Sequence, residues 1–355
     1  MRTLRRQRSL PFQGKNTVKV ASALVSGLHP GPDLAEQAVR QALESAGLER
    51  ADNVLLFLTR DFARHAQPAL VAAARAAGCL QVCGSTASGL LTGSGWLLDQ
   101  PGAAALVFES DGSNEPAAAP TLSFTGHSTL PFEWQGSPPR AGLLESNAVT
   151  WSHGRITPNA CAEARLPGMT GTLLRSAGLL LLGEARPIDF SQGYDIRRID
   201  GISAADDLRR SLPAELRAQP PVHQLVALRQ AGEPAIAVLS INADGSVTVG
   251  EALADGEHIH WAMRHPASSE AEMRQLLQGA ARPDKQPDFA IMLSCIGRGP
   301  LFYGNDDRDL LAFREQFPAT PLIGAYGSGQ IAPAGKRNRL FHNSVITLLF
   351  ESLHV

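Results

Sequence analysis

Apolar residues recur at helical spacing through Leu34, Ala35, Ala38, Val39, Ala42, Leu43 and Ala46, which predicts an amphipathic helix. Pro32 opens it, Asp33 is placed to cap it with Glu36 as the partner of a box-like pair, and Gly47 ends it. Residues 17–27 read as a strand. Asn53 to Thr59 is a near-continuous apolar run, so a buried strand with cover on both faces is expected. Residues 66–77 form a second helix closed by Gly78. Cys79 to Cys83 is a strand entering a glycine loop, followed by strands near Gly95 to Asp99 and Ala103 to Glu109. In the middle, LSFTGHSTL reads as a strand, while Gly, Pro and Ser through 134–170 predict a long loop. SAGLLLLGE and YDIRRIDG are strands, and SAADDLRRSL is a short helix capped by Ser203. Strands near Ala235 to Asn242 and Ser246 to Gly250 are joined by an Ala-Asp-Gly hairpin turn, and HIHWAMR alternates as a strand. Ser269 and Glu272 then have capping-box spacing, with Met273, Leu276, Leu277 and Ala280 as the buried stripe. Leu310, Leu311, Phe313 and Phe317 mark a further helix stopped by Pro318, and SVITLLFES is the last strand.

Two of these stretches, about 240 residues apart, read as one unit written twice. VCGSTASGLL leads to LVFES, and LIGAYGSGQI leads to LLFES. Each GxxxxG (Gly84 to Gly89, Gly324 to Gly329) has Ser before its second glycine. A candidate helix cap (Asp33, Ser268) lies 20 residues before the start of an apolar strand (Asn53, Asp288) in both copies. The expected fold class is α/β: two related halves with mixed β-sheets covered by helices, pseudo-duplicated, with a cleft between the copies. The plainer alternative is two α/β segments that share a loop type. The expected organisation is a basic disordered tail at 1–16, a first half at 17–120 ending in the surface linker 111–120, an irregular connection at 121–170 and a second half at 171–355.

Lys plus Arg total 32 against 34 Asp plus Glu, so the molecule offers no field for nucleic acid or a membrane surface, apart from the four arginines of the first ten residues. There is no run of 18 apolar residues, so no membrane span is expected. The four cysteines Cys79, Cys83, Cys161 and Cys295 form no disulfide lattice and no zinc pattern, which points to a reducing, cytoplasmic setting.

The candidate chemistry centres on Ser294 to Pro300, SCIGRGP, a loop after a buried strand, where open α/β sheets place ligand groups. Gly297 and Gly299 free the backbone around Arg298. Arg298 would hold a carboxylate or phosphate in bidentate fashion, or else pair with an Asp or Glu at the core's edge. Cys295 is either a nucleophile of lowered pKa beside that cation or a small buried apolar residue. Ser85, Thr86 and Tyr326 bring hydroxyls to the glycine loops, where they meet a ligand or close turns. Neither loop has a P-loop ending or opens a helix, since hairpins follow. His258 and His260 share a strand face near His265 without a third metal ligand. His342-Asn343 either reaches the Arg298 loop or ties a hairpin. No GxSxG, HExxH or Walker motif is present.

Taken together, SCIGRG, PLIGAYGSGQI and HNSVITLLF resemble the C-terminal FIST domain, as do residues 193–207 and 244–257. Residues 20–110, with CGSTASGLL, are similar to the N-terminal FIST domain. The resemblance implies FIST N-terminal and C-terminal domains at 17–120 and 171–355, and a bacterial small-ligand sensor of signal transduction, with an acidic metabolite such as an amino acid near the SCIGRG loop. The positions it marks are Cys295, Arg298, Gly299, Gly324, Gly329, His342 and Asn343, with Tyr326, Ser85 and Thr86 as loop hydroxyls. Gln330 stands where the family pattern has Glu, which removes a charge but leaves an amide for hydrogen bonding. The resemblance also allows a haem-binding nitric oxide sensor that regulates a histidine kinase, for which His29, His65 and His127 are candidate axial ligands. A third expectation is an enzyme with Cys295 as nucleophile.

Overall fold

The computed structural model describes residues 18–109, 119–230, 232–283 and 285–353. The basic tail at 1–16 and most of the 111–120 linker lie outside the described residues. Strand outweighs helix, and the strands form two six-stranded sheets, a five-stranded sheet and a closed barrel.

The two six-stranded sheets have the same plan. In the first, the order is Val20–Ser26, Gly102–Phe108, Asn53–Thr59, Val82–Ala87, Thr150–Ser152 and Arg155–Ile156. In the second it is Met169–Ser176, Val345–Ser352, Phe289–Cys295, Leu322–Gly327, Gly89–Thr92 and Gly95–Leu98. In both, the third and fourth strands are parallel and all other neighbours are antiparallel. Helices α1 (Pro32–Ala46) and α2 (Ala66–Ala77) cover one face of the first sheet through Val39, Leu43 and Leu70 on Val54, Leu56 and Leu58. Two later helices cover one face of the second in the same way.

The opposite faces of the two sheets meet each other. Leu55, Phe57, Leu106 and Phe108 of the first pack with Phe289, Ile291, Leu348 and Phe350 of the second. Phe289 stacks on Phe108 at 5.4 Å and on Phe350 at 4.7 Å between ring centroids. Asn53–Thr59 is therefore covered by helix on one side and by a second sheet on the other, which is why its apolar run has no alternation.

Residues 121–170 are not an irregular connection. Thr121–Thr125, Arg140–Leu144 and Cys161–Ala164 join Gly329–Ala334 and Arg337–Phe341 in the five-stranded sheet, which inserts Leu122, Phe124, Leu143 and Phe341 into the shared core. The Gly, Pro and Ser content of this stretch marks the turns between short strands rather than one long loop.

Nor is 171–355 one continuous half. Strands between Leu179 and Arg264 close on themselves: His258–Arg264 pairs on one side with Arg186–Gln192 and on the other with Leu225–Leu228. Asp195–Ile199, Val247–Val249 and Ile236–Ile241 complete the ring. Helix α3 (Ala204–Ser211) adds Ala205 and Leu208 to the barrel core beside Ile196, Val247 and Trp261. Ser203 caps this helix by accepting from the Asp206 N–H, as its position predicts.

Helices α4 (Pro266–Ala280) and α5 (Arg308–Gln316) then cover the second sheet with Met273, Leu277, Leu310 and Phe313. The capping expectations for α1 and α4 fail. Gly31, not Asp33, holds the N-cap of α1, and Asp33 lies in its first turn, where it faces the positive helix end. His265 caps α4 by accepting from the Ser268 N–H at Nδ1, so Ser268 is not the cap; Ser269 sits inside the helix with its hydroxyl on the Gly178 and His265 carbonyls, and Glu272 accepts from Ser176 Oγ instead of closing a capping box.

Candidate functional site

The first glycine of each repeated motif has one structural reason. Gly84 lies opposite Leu56, and Gly324 opposite Met292, in the two parallel strand pairs. A Cβ would come within 1.9 Å of the Leu56 carbonyl oxygen at Gly84 and within 2.0 Å of the Met292 carbonyl oxygen at Gly324. After the motif serine, each chain crosses to another sheet. Gly89–Thr92 leaves the first sheet to pair with Leu322–Gly327, and Gly329–Ala334 leaves the second to pair with Arg140–Leu144.

The crossovers meet at Glu145, which is 8% exposed. Its Oε1 accepts from Ser88 Oγ at 2.8 Å and from Arg60 at 3.0 Å, and its Oε2 accepts from Ser328 Oγ at 2.8 Å. Beside Ser328 lies a cleft of about 420 Å³ between the core and the barrel. Cys295, Ser328, His342 and Asn343 line it from the core, and Val226, Ile236, Glu251 and Arg264 line it from the barrel side.

Cys295 ends its strand 5% exposed, with Sγ 4.0 Å from the Ser328 carbonyl and 3.9 Å from Asn343 Oδ1. Burial pushes its thiol up, against the N–H groups of Gly297 and Asn343 and the charges of Arg264 and Arg298. The neutral thiol is thus favoured, which does not suit an activated nucleophile. His342 Nδ1 donates to the Ser328 carbonyl at 2.9 Å, which leaves Nε2 as an acceptor in the neutral ring. This is the hairpin tie that the His-Asn pair allowed. Asn343 adopts φ 55°, a left-handed turn that asparagine tolerates.

Arg298 does not face the cleft. It is 1% exposed and locked to Asp309, with Nε and Nη2 donating to the two carboxylate oxygens at 3.0 and 2.9 Å. Its remaining bonds go to Ser176, Ser269 and Tyr303. The alternative of a core-edge carboxylate partner is the one realised, and the guanidinium has no direction left toward a ligand.

Tyr326 is buried and donates to Asp307, on the helical side of the sheet. Gln330 is buried and accepts from Ser344 Oγ at 3.0 Å. Ser85 pairs with Thr150, and Thr86 exchanges hydrogen bonds with the backbone of Val149, both inside the first sheet. Gly299 packs against the Tyr326 ring, and Gly329 against Leu340 and His342. Of the residues singled out in the sequence, Cys295, His342 and Asn343 meet at the cleft.

The missed residue is Arg264. It ends the strand His258–Arg264, borders the cleft, and has its Nε buried without a hydrogen-bond partner. Among the described residues it has no ion pair. Burial lowers its pKa, and the nearby Cys295 works in the opposite direction. An arginine at the end of an alternating strand looks like a surface terminus, and only the barrel's closure against the core turns it inward.

Among the described residues no cluster of His, Cys, Asp and Glu could hold a metal ion. His29, His65 and His127 are all exposed, and His127 Nε2 donates to the Asn159 carbonyl at 3.0 Å. No helix among the described residues is long and apolar enough to cross a membrane.

An uncharacterized protein of Mycobacterium bovis is 27% identical over 210 residues, 55% of this chain and 54% of that protein. Another, from Mycobacterium tuberculosis, is 24% identical over 210 residues, 55% of each chain. F-box only protein 22 of Pongo abelii is 40% identical over 67 residues, 18% of this chain and 16% of that protein. The chain spans about half the length of the mycobacterial relatives it matches. Residues 204–333, from the barrel helix to the strand after the second crossover, match the FIST C domain, which is associated with sensing in signal transduction.

Proposed function

We propose that this chain is a small-ligand sensory module whose cleft between barrel and core binds a small anionic metabolite. One observation carries the reading: Arg264 brings a guanidinium with an unpartnered, buried Nε to a 420 Å³ cleft. A half-buried cation without a counter-ion is costly, and an incoming carboxylate or phosphate would relieve that cost. His342 Nε2 and the Asn343 side chain add polar groups on the same wall. Glu251 also borders the cleft, so an amino acid could set its ammonium there, although Arg229 already engages that carboxylate. The reading transfers the ligand-holding role given to Arg298 by the sequence to Arg264.

The first half, with its matching sheet plan, is proposed to be the FIST N-terminal counterpart, and the two halves to be copies of one unit. A protein partner such as a histidine kinase and a cytoplasmic location belong to the same proposal. The haem-sensor reading finds no support in the placement of His29, His65 and His127.

The test is thermal stabilisation by a panel of α-amino acids, dicarboxylates and inorganic phosphate. At 100 times its Kd, a bound acid adds about 2.7 kcal/mol to stability. Arg264→Gln is expected to abolish that shift without lowering the unliganded melting temperature, since it also removes the costly unpaired cation. Retention of the shift in Arg264→Gln, or absence of any shift across the panel in the unaltered protein, would overturn the reading.

A further inference from the structure

We infer that Arg298 is a positioning residue that clamps both tethers of the barrel to the core and so sets where Arg264 stands in the cleft. The consequence for the cleft rests on the proposed function; the clamp itself does not.

The barrel is joined to the core by two very short segments. The outgoing chain ends its core strand at Ser176 and begins the barrel at Leu179. The returning chain ends its barrel strand at Arg264 and enters α4 at Pro266, with His265 alone between them. Arg298 bonds to both sides of this joint. Nη1 donates to the Ser176 carbonyl at 3.1 Å, and Nη2 donates to Ser176 Oγ at 2.7 Å and to the Ser269 carbonyl at 3.3 Å. Asp309, on α5, holds the other edge of the guanidinium.

A second ring of bonds ties the tethers to each other. Ser269 Oγ lies 2.9 Å from both the Gly178 carbonyl and the His265 carbonyl. Glu272 Oε2 accepts from Ser176 Oγ at 2.7 Å and from the Gly178 N–H at 2.6 Å. Gly178 has φ +67°, and a Cβ there would lie 2.4 Å from Arg298 Nη1 and 2.6 Å from Ser269 Oγ. No other side chain fits this point.

The joint therefore binds a planar, multi-donor cation to two tethers and a helix at once. A lysine could supply the charge but not that fork of donors. Arg264 immediately precedes the clamped His265, and Cys295 lies three residues before Arg298 on the 3₁₀ turn Ile296–Arg298. The two walls of the cleft thus emerge from one locked joint. A buried ion pair of this kind is better suited to fixing a single arrangement than to adding net stability.

The test uses the full chain with Arg298→Lys, which keeps the charge and removes the fork, and Gly178→Ala, which leaves all charges and crowds the joint. Amide hydrogen exchange at residues 177–182 and 264–269 is expected to quicken by about tenfold or more in both, with Phe289–Cys295 unchanged. Affinity for the acid that stabilises the unaltered protein is expected to fall by about tenfold in each, although Arg264 is untouched. Unchanged protection of the tether amides in either folded variant would overturn the clamp. Faster tether exchange with unaltered affinity would overturn its positioning of Arg264. If no acid binds the unaltered protein, the proposed function fails while the exchange result still decides the clamp.

Discussion

Asp307 caps α5 by accepting from the Leu310 N–H at 2.9 Å, and it takes a second bond from the Tyr326 hydroxyl. Burial first, and the neighbouring Asp309 second, push its carboxyl up to about 6. A raised acid binds its proton in the native state at a pH where the unfolded chain has released it. Its contribution is therefore unfavourable as pH rises from about 4 to 6, and constant above. Asp307→Asn keeps an oxygen for the cap and removes the titration. The stability of Asp307→Asn relative to the unaltered protein should rise from pH 4 to pH 6 by up to about 3 kcal/mol and then level off, as read by urea unfolding across pH 4–8. A difference that stays flat with pH would contradict it. At this scale the motif residues were visible in the sequence but their partners were not. Arg298 stands out by its glycines, yet Asp309, eleven residues on, is the group that claims it. Nothing in the local pattern distinguishes a carboxylate of the protein from one of a ligand.

Among elements, the two parallel strand pairs depend on a missing Cβ. Gly324→Ala and Gly84→Ala each drive a methyl group into a backbone carbonyl that cannot move aside. Each should cost at least about 1–3 kcal/mol, whereas Gly93→Ala, with nothing within 4 Å, should stay within about 0.5 kcal/mol. Chemical denaturation of the three variants checks the ranking, and equal costs at all three positions would refute it. Long periodic segments were legible: the stripes of α1 and α4 and the apolar runs Asn53–Thr59 and Phe289–Cys295 form as their spacing requires. The short strands between 140 and 164 were hidden because two to five residues carry too little periodicity to stand out from turn residues. The Ser269 and Glu272 spacing has the form of a capping box, and tertiary bonds to Ser176 and Gly178 claim both side chains instead.

For the whole molecule, the face-to-face packing of the two six-stranded sheets decides what can fold alone. A fragment ending at residue 168 would expose Leu55, Phe57, Leu106 and Phe108, which Phe289, Ile291 and Phe350 cover in the intact chain. Such a fragment is expected to lack a cooperative urea transition as a monomer and to self-associate in sedimentation. A monomeric, cooperatively unfolding fragment would show that the shared core is dispensable. The alternation of helical stripes and apolar runs in the sequence was enough to anticipate mixed α/β content. The barrel was not, because its closure depends on the pairing of His258–Arg264 with strands on both sides, and a strand's partners are not written in its own residues.

Glu145 belongs to neither six-stranded sheet, and yet it receives the serine of each crossover on a separate oxygen. One half cannot slide along the other without stretching two charge-assisted bonds at the same moment. Ser328 also borders the cleft and Arg60 reaches the same carboxylate from an exposed position, so one side chain spans from the edge of the cleft to the outside surface. This single carboxylate is the rivet that fixes both crossovers to one point.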